Sequence, residues 1–104
     1  MKTNSVNFTG LIQYTGPKDK ITTTIDTKNI IGIQQKKETP YETQILVKNT
    51  NENKKDFPFA VMTVYKMPIK NVLMEYNKAC KNELADLGKL TEMEYLKDRK
   101  DFVV

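Results

Sequence analysis

The sequence predicts one α+β domain over residues 1–104. About five antiparallel strands form a strongly twisted sheet or small barrel, followed by two C-terminal helices. Three observations carry that prediction. Apolar residues alternate with polar ones at a period of two before residue 66. After Pro68 the apolar period lengthens to three and four residues. Turn-forming residues punctuate the first part at short intervals.

The strands are expected between about residues 5 and 65. Val6, Phe8, Gly10, Ile12 and Tyr14 share one face of the first, and Ile21, Thr23 and Ile25 one face of the second. Ile31 and Ile33 mark the third, and Thr43, Ile45 and Val47 the fourth. The fifth, roughly Phe57 to Tyr65, is apolar on both sides and so suits a central, doubly covered strand. Between them Thr15-Gly16-Pro17-Lys18-Asp19 is a turn. Asp26 to Asn29 is a tight connection in which the aspartate bonds the backbone two residues on. Lys36 to Glu42, around Pro40, is a short loop, and Asn49 to Asp56 is the most polar stretch and the one expected to be most mobile.

The helices are expected at about 68–87 and 91–100. Ile69, Val72, Leu73, Tyr76, Cys80, Leu84 and Leu87 form one stripe, with Val72, Leu73, Tyr76 and Cys80 turned inward. Pro68 suits the first turn, where its missing N–H costs nothing, and Gly88 suits the stop. Thr91-Glu92-Met93-Glu94 matches a capping box, which predicts the second helix. In hydrophobic spacing, the stretch from Ile25 to Tyr76 resembles FlbD-type small proteins and the opening of LytTR-type DNA-binding domains. The late His-Arg-rich segment of the latter has no counterpart in a chain without histidine.

Composition excludes more function than it suggests. There is no histidine and no tryptophan, with one cysteine (Cys80), one arginine (Arg99) and one serine (Ser5). Histidine is the side chain whose ordinary pKa suits proton transfer near neutrality, and serine or cysteine nucleophiles lean on such a base. Zinc needs several Cys and His ligands together. Asp26, Glu42 and Asp56 match no calcium or magnesium loop in their spacing. The expectation is therefore no catalytic residue, no metal and no cofactor. No apolar run approaches the ~18 residues that span a bilayer, and the first residues lack a signal-like apolar core, so no membrane contact and a cytoplasmic location are expected.

The formal net charge of +4 is uneven. Residues 1–68 hold ten lysines against six acids, whereas residues 69–104 balance. Hairpin connections would bring alternate turns to one end of the sheet. That end would collect Lys18, Lys20, Lys36, Lys37, Lys66 and Lys70 beside Tyr41, with Tyr14 and Tyr65 flanking it. These residues form the candidate anion or ligand site, with a nucleotide or nucleic acid as the possible partner. A solvated role for lysines in turns is the competing reading. One arginine against sixteen lysines suits phosphate contact rather than base reading.

The apolar end, Phe102-Val103-Val104, has two fates: packing back on the domain, or a contact with a second copy, which is favoured. The chain thus reads as a small non-enzymatic binding or regulatory module of phage accessory or inhibitor type. It would act through protein–protein contacts, as a homo-oligomer or with a protein partner. Phosphate-ligand binding is the alternative.

Overall fold

The computed structural model describes residues 10–16, 20–35 and 37–102, and among these the chain forms six strands and one α-helix. In chain order they are β1 (Leu11–Thr15), β2 (Thr22–Asp26), β3 (Ile30–Gln35), β4 (Thr43–Lys48), β5 (Phe59–Val64), α1 (Ile69–Cys80) and β6 (Ala85–Leu96). Short 3-10 turns occupy Thr27–Asn29, Glu52–Lys54 and Arg99–Asp101. The sheet runs β2-β1-β6-β5-β4-β3. Four of its pairings are antiparallel, but β1 and β6 are parallel. The expected five-stranded antiparallel sheet with two C-terminal helices is therefore corrected to an open mixed sheet with one helix. The expected first strand began within residues 1–9, outside the described residues.

The first helix is shorter than its stripe suggests. Lys81 caps it, Asn82 turns left-handed at φ 63°, and two bonds close the end: Asn82 N–H to the Ala79 carbonyl (3.0 Å) and Glu83 N–H to the Lys78 carbonyl (2.8 Å). This is a Schellman ending with asparagine in the position glycine usually takes. Pro68 stands just before the helix, its carbonyl accepting from Val72 N–H at 3.2 Å. The buried stripe is also rotated from the expected one: Val72 and Ala79 are buried, while Leu73 and Cys80 are exposed.

The expected second helix is instead the C-terminal half of β6. The capping-box pattern at residues 91–94 lies inside this strand, which carries two irregularities. Between Gln13 and Thr15 of β1 the facing strand advances from Asp86 to Lys89, one residue too many, and Gly88 there has φ +76°. Between Val64 and Thr63 of β5 it advances from Leu90 to Glu92. Each extra residue is a bulge that returns the next apolar side chain to the same face. Ala85, Leu87, Leu90, Met93 and Tyr95 consequently all join the inner core.

The bulges also let β6 serve two half-sheets, its start pairing with β1 and its end with β5. Because β2 and β3 stand at opposite edges yet are joined by only Thr27–Asn29, the sheet curls until those edges meet at the turn. Asp26 caps that turn, its Oδ1 accepting from Lys28 N–H at 3.0 Å, as the sequence predicts. Helix α1 lies against β6, β1, β3 and the same turn. The core within the curl includes Ile12, Ile45, Met62, Val64, Val72, Ala79, Leu87 and Leu90. A smaller cluster of Leu46, Val61 and Leu96 occupies the outer face, with Ile31, Phe59 and Phe102 packed over it.

Candidate functional site

The end of β3 organises the most exposed aromatic surface of the described chain. The Gln35 side chain is the fastener: its Nε2 donates to the carbonyls of Pro40 (2.6 Å) and Glu42 (3.2 Å), and its Oε1 accepts from Ile69 N–H (3.2 Å). One amide thus ties the loop after β3 to the first turn of α1. Two further bonds lock the strand-to-helix junction onto the same loop. Met67 N–H donates to the Tyr41 carbonyl at 2.6 Å, and buried Thr43 donates its hydroxyl to the Met67 carbonyl at 2.8 Å. Within the loop, Thr39 Oγ1 donates to Glu42 Oε1 (3.3 Å).

This scaffold presents a cavity of about 490 Å³ lined by Glu38, Thr39, Pro40, Tyr41, Glu42, Tyr65 and Lys66. Tyr41 is 68% exposed and Tyr65 is 44% exposed, although both backbones are fixed. Tyr65 N–H bonds the Lys89 carbonyl (3.1 Å). Lys66 is held at φ 58°, a region in which a residue with a Cβ is strained, and its Nζ lies 5.2 Å from the Tyr65 ring centre. Rigid aromatic groups facing water on a pinned backbone lose little entropy when a partner covers them.

Of the residues expected to form a lysine-rich end, the structure brings Tyr41 and Lys66 to this cavity. Lys37 is exposed in the loop, Lys70 is exposed in the first turn of α1, and Lys20 is exposed before β2 with φ 58°. None of the three lines the cavity. Lys18 and Lys36 lie outside the described residues, as do Val103 and Val104. Phe102 is half-buried against the chain's own outer cluster. Gln35 escaped the sequence reading, because a polar residue at a strand end carries no mark of what its amide will reach.

Among the described residues no group of three or more His, Cys, Asp or Glu side chains could hold a metal ion. No helix among them is long and apolar enough to cross a membrane. Compared with known proteins, the chain matches no family model, no curated protein and no solved structure, so its site rests on its own residues.

Proposed function

We propose that this protein is a non-enzymatic binding module that takes a protein partner, or a second copy of itself, on the Tyr41/Tyr65 cavity. The observation that carries the reading is a pair of exposed tyrosines lining one cavity on a backbone already fixed by Gln35 and Met67. Tyrosine is enriched at protein contacts and supplies large contact area with few rotatable bonds. The rim chemistry narrows the partner. Glu38 and Glu42 face one ammonium, Lys66, in the lining, so an apolar anchor flanked by a lysine or arginine suits it better than a phosphate. The alternative, a phosphate-bearing ligand, draws instead on Lys20, Lys37, Lys66 and Lys70.

Panning a random peptide library, then mapping the best binder by NMR, tests the reading. Shifts are expected at Thr39, Tyr41 and Tyr65, and both Tyr41→Ala and Tyr65→Ala should weaken binding at least about tenfold, roughly 1.4 kcal/mol. Since both rings are exposed, neither substitution should lower the melting temperature appreciably. Binders that map elsewhere, or that hold both variants equally well, defeat the peptide reading. A parallel titration with adenosine triphosphate that shifts Lys37, Lys66 and Lys70 would favour the phosphate alternative.

A further inference from the structure

The space inside the curled sheet is not all filled. Helix α1 occupies the region bounded by β6, β1, β3 and the Thr27–Asn29 turn. On the other side the half-sheets diverge and leave a cleft of about 450 Å³, to whose lining α1 contributes no residue. One wall comes from β1 and β2, through Tyr14 and Ile25, and the facing wall from β5 and β6, through Met62, Met93 and Tyr95. Strand register explains the gathering: Met62 stands opposite Met93, and Tyr95 stands opposite Ala60. The Lys54 ammonium stands over the Tyr95 ring, 5.2 Å from its centre, and Met62 is fully buried, so the accessible apolar surface of the cleft comes from the half-buried Tyr14 and Met93. The volume lies within the ~300–1,000 Å³ range of small-molecule sites, which favour the mouths of curled sheets.

The mouth is polar and preorganised. The loop after β4 is held by its own asparagines: Asn49 Nδ2 donates to the carbonyls of Phe57 (2.7 Å) and Lys54 (3.2 Å), and its Oδ1 accepts from Asn51 N–H (3.0 Å). Asn51 Oδ1 accepts from Asn53 N–H at 2.9 Å, which leaves the Asn51 Nδ2 donors with no partner among the described residues. The Asn29 side chain, at the opposite lip, likewise has none among them, nor does Lys48 Nζ. Methionine thioethers and tyrosine faces attract flat rings, and free amides pair with a ring edge that carries both donors and acceptors.

We propose that this cleft binds a planar nitrogen heterocycle of nucleobase size, with its face against Tyr14 and Met93 and its edge toward Asn29 and Asn51. The site is separate from the Tyr41/Tyr65 cavity, with which it shares no lining residue. A phosphate attached to the ring would reach Lys48 at the rim.

NMR titration of methyl-labelled protein with adenosine, guanosine, cytidine and uridine, and with their 5′-monophosphates, tests the proposal. The Met93 methyl should shift with at least one nucleoside. Asn29→Ala should weaken that binding about tenfold. Thr23→Trp, a change at an exposed lip position, should block the cleft while leaving the melting temperature in place. Tighter binding of the monophosphate, lost in Lys48→Ala, assigns the phosphate to Lys48. Absence of methyl shifts with every nucleoside, or equal affinity in Asn29→Ala and Thr23→Trp, overturns the site. A short single-stranded oligonucleotide serves as the last arm: shifts from it alone, at surface lysines only, overturn the small-molecule proposal in favour of diffuse charge.

Discussion

The two ends of the curled sheet share one inner face, yet only one of them is packed. At the α1 end, Val72 and Ala79 are fully buried against Ile12, Leu87 and Leu90, and Gly10 lets the start of β1 approach the last helical turn. At the cleft end, Tyr14, Met93 and Tyr95 remain partly exposed because no helix reaches them. Apolar residues on a strand therefore do not by themselves make a sealed core. Sealing depends on whether a second layer arrives. Stability should accordingly concentrate at the α1 end and adaptability at the cleft.

The largest test of that contrast is Val72→Asp. An unpaired carboxylate at a site with no solvent access should cost about 3–5 kcal/mol, enough to unfold much of a domain whose total is roughly 5–15 kcal/mol. Circular dichroism and a thermal melt would show it, and a parent-like melt would mean that α1 does not anchor the fold. Next comes Gly10→Ala. The new Cβ would stand 1.7 Å from the Ala79 carbonyl oxygen, a backbone atom that cannot swing aside. Separating β1 from α1 should cost about 1–3 kcal/mol in urea unfolding. An unchanged midpoint would show that the helix-to-strand approach is loose.

A smaller effect is expected at high pH. Burial, with a further contribution from neighbouring Cys80, pushes the Tyr76 phenol above its ordinary value. The neutral phenol is thus the form that the fold favours. Its contribution to stability is complete below the unfolded pKa near 10 and is lost as pH rises through the higher folded value. Tyr76→Phe should therefore lose less stability than the parent between neutral pH and strongly alkaline pH, and equal losses would place the phenol in water. The smallest effect belongs to Leu73→Asp, one residue from Val72 but 42% exposed, which should change stability by no more than about 0.5 kcal/mol. Severe destabilisation there would return the buried stripe to the position that spacing alone suggests.

Leu73 and Val72 show how far a pattern can be read. A helix of three turns offers two nearly equal stripes, Val72-Tyr76-Ala79 and Leu73-Tyr76-Cys80, and periodicity cannot choose between them. The choice falls to tertiary packing: Gly10, more than sixty residues away in sequence, sets its backbone against that of Ala79 and so turns that side of the helix inward. The candidate site divides in the same way. Tyr41 and Lys66 follow from hairpin connections that share one end of a sheet, whereas Gln35 matters only because the loop and the helix start come within reach of one amide. Leu87 closes the helical stripe that spacing suggests and Met93 sits in a capping-box pattern, yet both fall on one strand, where bulges keep Leu87, Leu90 and Met93 on the inner face.

Local chemistry was enough to set much of this chain. The alternation in Thr43–Lys48 and the run Phe59–Val64 made strands, Asp26 made its turn, Pro68 marked where the helix begins, and the missing histidines removed the commonest catalytic apparatus. Each of these acts within a few residues of itself, so the sequence carries it openly. Tertiary structure alone decided that residues 85–96 would be a strand, that β6 would run parallel to β1, and that one end of the curl would stay open. Those outcomes depend on which distant surfaces find one another. Burying Leu87 and Leu90 in the inner core outweighs the local helical signals of the stripe end at residues 84–87 and the capping box at residues 91–94.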